Sequence, residues 1–170
     1  MNNVFVILGV SRAGKTTLAR EIGKRLDFTV VDMDDLMLQS WHGQGSNRDC
    51  YFDLGALKFR QLEERVYQDF MPENNSIISI GGGALLNNIC AKHVTSWGVC
   101  GWLYVPKSIV FSRWSKAAPL NIAKSEWGDF YQQRSTACAK YADLIWDNNV
   151  DLVIQQIKNI SKYCEKIYGE

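Results

Sequence analysis

The 170-residue sequence predicts an α/β fold, a five-stranded parallel sheet with helices on both faces, and two observations predict it. Short apolar runs alternate along the chain with segments of helical periodicity, the pattern of βα units whose right-handed crossovers cover a parallel sheet. The first run, Val4-Phe5-Val6-Ile7-Leu8, leads straight into Gly9-Val10-Ser11-Arg12-Ala13-Gly14-Lys15-Thr16-Thr17. That stretch matches G-x-x-x-x-G-K-[ST], the phosphate-binding loop between a buried strand and a helix.

Each fixed position of the loop has a task. Gly9 and Gly14 let the backbone wrap closely around an anion, with successive N–H groups aimed at a β-phosphate. The helix starting near Lys15 adds the positive end of its dipole. Lys15 reaches the β and γ phosphates. The Thr16 hydroxyl is set to ligate Mg²⁺, which prefers oxygen and accompanies the nucleotide. Arg12, Ala13, Gly14, Lys15, Thr16 and Thr17 are the expected nucleotide-binding residues.

After the loop, Leu18, Ile22 and Leu26 recur at intervals of four, beside Ala19 and Gly23, as one apolar helix face. Phe28-Thr29-Val30-Val31 predicts a second strand, with Asp32-Met33-Asp34-Asp35 at its carboxyl end, the edge where ligands collect in open α/β sheets. Between Leu36 and Tyr51, Trp41, Gly43 and Gly45 suggest a helix end and a loop, and helical spacing returns at Leu57, Phe59, Leu62 and Val66. Asn74-Asn75 breaks the chain before a strand at Ser76–Ile80, closed by Gly81-Gly82-Gly83. A helix from Ala84 toward His93 follows, then a strand at Gly101–Val105, and a helix from Lys107 to Trp114 with Pro106 in its first turn. Residues 115–128 have weak periodicity and contain Pro119; they read as a mobile flap. Asp129–Tyr141 reads as helix, Leu144-Ile145-Trp146 as a strand, and Val150, Val153, Ile154, Ile157 and Ile160 as a closing amphipathic helix. The expected architecture is the three-layer P-loop NTPase fold in one domain, residues 1–170, without repeat or linker.

Composition narrows the function classes. Nineteen basic and eighteen acidic residues leave the chain near neutral, which argues against nucleic acid or an anionic membrane as partner. Cys50, Cys90, Cys100, Cys138 and Cys164 are odd in number with no C-x-x-C pair, so they read as reduced thiols of a cytoplasmic protein. His42 and His93 are isolated from them, which disfavours zinc. No basic n-region precedes the first strand and no apolar stretch approaches eighteen residues, so secretion and membrane spanning are disfavoured.

A phosphate loop fixes the donor and leaves the acceptor to be inferred from charges elsewhere. Asp32 and Asp34 would project to one side if the strand continued. One would then touch magnesium through water while the other takes a proton from, or orients, a substrate hydroxyl; alternatively one of them only caps the helix that follows. Gly81, Gly82 and Gly83 either bring backbone N–H groups up to a second ligand or make an ordinary tight turn. Arg60 and Arg134 are each a solvated charge taken singly, but together they suit bidentate bonding to a carboxylate.

From Val4 to about Asp143 these features, in this order, resemble the shikimate kinase family. The loop Gly9–Thr17 is similar to the family's phosphate loop, with Arg12 and Ala13 in place of small residues. Val31-Asp32-Met33-Asp34 resembles its D-x-D element, in which the second Asp holds the shikimate hydroxyls. The segment from Gly55 through Phe59-Arg60 to Glu63-Glu64 resembles G-E-x-x-F-R-x-x-E, whose Arg binds the shikimate carboxylate and whose last Glu steadies that Arg. Ser79–Ala84 resembles S-x-G-G-G-A, and Arg134 with Tyr141-Ala142-Asp143 resembles R-x-x-x-Y-x-x-x-A-D. Arg113 matches a family position near the nucleotide.

The resemblance implies ATP-dependent phosphorylation of shikimate by a cytoplasmic monomer. Lys15 and Asp34 would be catalytic, Thr16 and Asp32 would hold Mg²⁺, and Asp34, Arg60, Glu63, Gly81–Gly83 and Arg134 would form the acceptor site. The family flap presents R-P-L-L, with its Arg over the transferring phosphate; here the aligned stretch is Ala118-Pro119-Leu120-Asn121. Lys116 or Arg113 would have to supply that charge. Ala56 stands for an acidic residue and Cys138 for an aromatic. Two alternatives follow: a related small-molecule kinase such as a gluconate kinase, or a nucleotide-binding regulator that has lost catalysis.

Overall fold

A computed structural model describes residues 3–116 and 122–168. Five parallel strands lie in the order β2-β3-β1-β4-β5, with β1 Val4–Leu8, β2 Thr29–Asp32, β3 Ser76–Ser79, β4 Val99–Leu103 and β5 Leu144–Trp146. The sheet agrees with the expectation in strand number and direction. The helices are α1 Lys15–Leu26, α2 Met33–Trp41, α3 Asn47–Asp69, α4 Asn88–Trp97, α5 Lys107–Trp114, α6 Trp127–Tyr141 and α7 Val150–Tyr168. Short 3-10 turns occupy Ala84–Leu86 and Lys124–Glu126.

Central position explains the composition of β1, whose five residues are all buried, so the run is apolar throughout rather than alternating. Its side chains still divide between two faces. Val4, Val6 and Leu8 join Ile78, Met33, Leu62 and Val94 in one core, against α2, α3 and α4. Phe5 and Ile7 join Ile77, Leu18, Ile22 and Ile154 in the other, against α1 and α7. These are the three layers.

Several boundaries differ from the sequence expectation for identifiable reasons. β4 begins at Val99, because Phe5 of β1 pairs with Val99 and Leu8 with Trp102, which leaves Tyr104 and Val105 beyond its end. α2 begins at Met33, so Asp34 lies in a helical turn and does not share a strand face with Asp32. Between Leu36 and Tyr51, α2 ends at Trp41 and a loop carries Gly43 and Gly45 as expected, but α3 is already under way at Asn47, started by a reciprocal Ser46–Asp49 capping box and kinked at Gly55 (φ 73°). α6 starts two residues before the expected Asp129. Five residues of the expected flap, 117–121, including Ala118, lie outside the described residues.

Asp143 ties the last strand in: its N–H donates to the Cys100 carbonyl and its Oδ2 accepts from the Cys100 N–H, both at 2.8 Å. Cys50, Cys90, Cys100 and Cys138 are buried free thiols. Burial pushes the Cys90 and Cys100 thiols up to about 12, so both are protonated packing groups.

Candidate active site

The glycine-rich loop leaves β1 at the carboxyl edge of the sheet and closes onto α1. Gly14 has φ 107° and ψ 17°, a left-handed conformation that glycine adopts without a Cβ clash. Arg12 has φ 66°, which costs an L residue roughly 1–2 kcal/mol. Three consecutive loop carbonyls are held from α5. Trp114 Nε1 donates to Ser11 O at 3.0 Å, and the Arg113 guanidinium donates to Arg12 O at 2.9 Å and Ala13 O at 2.7 Å.

Lys15 crosses the loop and donates to Val10 O at 3.0 Å. It is buried, and burial lowers its pKa against the opposing pull of Asp34, Cys138 and Asp32. On the outer side of the loop a second cavity, about 690 Å³, is lined by Ala13, Gly14, Thr17, Arg113 and Asn148 among others.

Asp32 serves two partners. Its Oδ2 accepts from Thr16 Oγ1 at 2.6 Å, and its Oδ1 accepts the Asp34 N–H at 3.0 Å, capping α2. Helix cap and neighbour of the phosphate loop are therefore both true of it. Asp34, two residues on, turns away from Asp32 into a cavity of about 500 Å³ shared with Ser11, Arg12, Arg60, Gly82 and Arg134.

Asp34 is exposed to this open cavity but has dense protein around it. Desolvation raises its pKa to about 6, with Lys15 opposing and the Asp32 and Glu63 carboxylates adding to the rise. The opening to the cavity works against that rise, because an accessible carboxylate keeps some hydration.

Arg60 from α3 and Arg134 from α6 converge on the triple glycine. A Cβ at Gly83 would lie 3.5 Å from Arg134 Nη2 and 3.6 Å from Arg60 Nη2. Glu63, buried on α3, pairs with Arg60. Burial raises the pKa of Glu63, and the Arg60 charge opposes that shift. Arg134 is buried, donates to Phe130 O at 3.3 Å and lies over the Phe130 ring. Burial, and then Arg60, lowers its pKa to about 10, which leaves it charged at neutral pH. The solvated-charge reading of Arg134 fails.

The glycines join the two halves. A Cβ on Gly82 would stand 2.6 Å from the Ser11 backbone nitrogen, so the two glycine turns pack backbone against backbone. The Gly81 N–H donates to the buried Tyr67 hydroxyl at 3.3 Å. Gly82→Ala should therefore push the phosphate loop aside, with a stability loss of about 1–3 kcal/mol from overpacking. Weakened ADP binding should accompany it; calorimetric titration and thermal melting check both.

Nucleotide-side expectations fall in two groups. Ala13, Gly14, Thr17 and Arg113 line the outer cavity, whereas Arg12 lines the one that holds Asp34 and the convergent arginines. Sequence reasoning missed Arg48 and Tyr51 on the first turns of α3, Phe130 under Arg134, and Trp114 and Tyr67 behind the two glycine turns. The Ser46–Asp49 box was the available signal for the first two.

Four guanidiniums (Arg12, Arg48, Arg60, Arg134) and two carboxylates (Asp34, Glu63) line the inner cavity, which suits an anionic ligand bearing a hydroxyl. Among the described residues no cluster of three or more His, Cys, Asp or Glu side chains could hold a metal alone. Among them, too, no helix is long and apolar enough to cross a membrane.

The shikimate kinase family model matches residues 11–165. A shikimate kinase of Caldicellulosiruptor bescii is 32% identical over 114 residues, 66% of this chain and 64% of that one. The shikimate kinase of Prosthecochloris aestuarii is 27% identical over 126 residues, 74% of this chain and 63% of that one. The chain thus spans a little under two thirds of the curated relatives it matches. Among solved structures, shikimate kinase from Acinetobacter baumannii in complex with shikimate superposes with a TM-score of 0.77 at 19% identity, covering 100% of this chain and 96% of that one. Shikimate kinase from Bacteroides thetaiotaomicron gives 0.75 at 21%, covering 94% and 98%.

Proposed function

Because the chain belongs to the shikimate kinase family, we propose that it transfers the γ-phosphoryl group of ATP to the 3-hydroxyl of shikimate, giving shikimate 3-phosphate and ADP. The observation that carries this reading is the meeting of Arg60 and Arg134 beside Gly83, in the cavity that also receives Asp34. Two fork-shaped cations suit a carboxylate, and a carboxylate with a raised pKa suits a hydroxyl proton. The proposal is of a monomer working in the cytoplasm, as the resemblance to the family implies.

The residues then divide as follows. The loop N–H groups and Lys15 hold the β and γ phosphates, with the nucleoside end in the outer cavity beside Arg113. The Thr16 hydroxyl and Asp32 carboxylate are oxygen donors 2.6 Å apart at the loop, a set that fits Mg²⁺. With so few protein ligands the ion would keep phosphate and water oxygens, and when bound it would neutralise charge on the β and γ phosphates.

Arg60, steadied by Glu63, and Arg134 grip the acceptor carboxylate, while the Gly81–Gly83 backbone keeps that wall free of side chains. The acceptor oxygen attacks the γ-phosphorus as its proton passes to Asp34. The bond to the β–γ bridging oxygen breaks with its electron pair leaving on ADP. Most of the acceleration is positioning and charge neutralisation.

ADP release measured in a coupled assay with shikimate and with gluconate tests this. Release that depends on shikimate supports the proposal. Release with gluconate alone reassigns the acceptor, and ATP binding with release on neither makes the chain a nucleotide-binding regulator. Thermal shift with ADP and shikimate adds a second reading, since a ligand at ~100 times its dissociation constant stabilises by about 2.7 kcal/mol.

A further inference from the structure

Arg12 is the one residue of the phosphate loop other than glycine with a positive φ. It sits three residues before Lys15, inside the turn that wraps the phosphates, yet it lines the inner cavity with Asp34, Arg60 and Arg134. Its φ of 66° is a conformation in which an L residue is strained. The strain is held in place from outside: the carbonyls of Ser11, Arg12 and Ala13 each take a donor from Trp114 or Arg113.

The side chain itself is exposed, and no hydrogen bond or ion pair among the described residues engages its guanidinium. A fixed backbone thus presents an uncommitted cation to the inner cavity, while its chain neighbour Ala13 lines the outer one, so the loop itself is the boundary between them. The group in transit between donor and acceptor must cross that boundary.

We propose that Arg12 is a catalytic residue of the phosphoryl transfer, an arginine supplied by the phosphate loop itself that binds the equatorial oxygens of the moving γ-phosphoryl group. This rests on the kinase reading above, and it gives Arg12 a role in turnover rather than in holding ATP. As the acceptor oxygen bonds to the γ-phosphorus and the bridging oxygen departs with its electron pair, negative charge stays on the three equatorial oxygens. A planar guanidinium pairs with two of them at once. Arg12 forms no covalent bond and moves no proton; the proton goes to Asp34.

The test compares wild type with Arg12→Gly and Arg12→Lys. Glycine is relaxed at this φ, so Arg12→Gly should melt at or above the wild-type temperature. Its kcat with shikimate should fall about a hundredfold or more, the scale of a lost phosphoryl-transfer arginine. KM for ATP and for shikimate should stay within about threefold, since the contact strengthens only as charge develops. Arg12→Lys should recover part of kcat.

A second arm uses ADP, Mg²⁺ and aluminium fluoride, a mimic of the planar phosphoryl group. Wild type should gain melting temperature over ADP and Mg²⁺ alone, and Arg12→Gly should lose that gain while keeping the gain from ADP. An unchanged kcat, a raised KM for ATP at constant kcat, or an equal fluoroaluminate gain in both proteins would each overturn the proposal. If wild type releases no ADP with shikimate, the acceptor assignment fails on its own, while the fluoroaluminate arm, which needs no acceptor, still decides the role of Arg12.

Discussion

Arg60→Ala should raise the KM for shikimate about a hundredfold or more while leaving ADP binding within about twofold of wild type, because its guanidinium faces the inner cavity alone. Truncation removes one half of the carboxylate grip and also strips Glu63 of its partner. Glu63 is 5% exposed, and an orphaned buried charge costs about 3–5 kcal/mol at the upper end of such cases, less here because Arg60 is itself part-exposed. A fall in melting temperature therefore accompanies the single variant and would blur its kinetics. The double variant Arg60→Ala/Glu63→Gln separates the two effects. It should recover much of the lost stability and none of the lost acceptor affinity. Steady-state kinetics with shikimate varied, calorimetry with ADP and thermal melts of both variants make the comparison. A shikimate KM near wild type in the double variant would remove Arg60 from the acceptor site.

Asp34→Asn should have its effect in the other parameter. An amide keeps the shape and can still hydrogen-bond the acceptor hydroxyl, but it cannot take the proton, so kcat should fall by about 10²–10⁴ with the shikimate KM little changed. Stability should move the opposite way from the Arg60 variant. The fold raises the Asp34 pKa from 3.8 to about 6, meaning that it disfavours the ionised form. The stability associated with this carboxyl is full below pH 3.8 and is lost as pH rises toward 6, so at neutral pH wild type carries an unfavourable charge that asparagine lacks. Asp34→Asn should accordingly melt at or above the wild-type temperature while nearly inactive. Loss of kcat together with loss of fold would instead make Asp34 a structural residue.

The donor half of the site was the more legible because its chemistry is local: nine consecutive residues specify a strand exit, two permissive turns, a cation and a hydroxyl. The acceptor half depends on partners far apart in the chain. Nothing near Arg134 announces its burial, which comes from α6 packing over the triple glycine and from Phe130 beneath the guanidinium. The start of α3 was obscured because Gly55 interrupts helical spacing just after the segment that presents Arg48 and Tyr51 to the cavity. Asp32 and Asp34 were legible as a pair but not as a geometry. The choice between continued strand and new helix is made by the cap Asp32 gives to the Asp34 N–H, a contact that spacing alone does not decide. Gly82 shows the same limit: a three-glycine run is compatible with any tight turn until the Ser11 backbone is seen against it.

Because Ile7 of β1 is in register with Ser79 of β3, both glycine turns begin two residues beyond one hydrogen-bonded rung. Neighbouring strands stand about 4.8 Å apart, so the sheet works as a ruler between donor and acceptor. The span the phosphorus must travel is graduated by ladder spacing, a length that neither loop can stretch. Sliding β3 by a single rung would shift the acceptor wall by about 3.3 Å, enough to turn a reacting pair into bystanders.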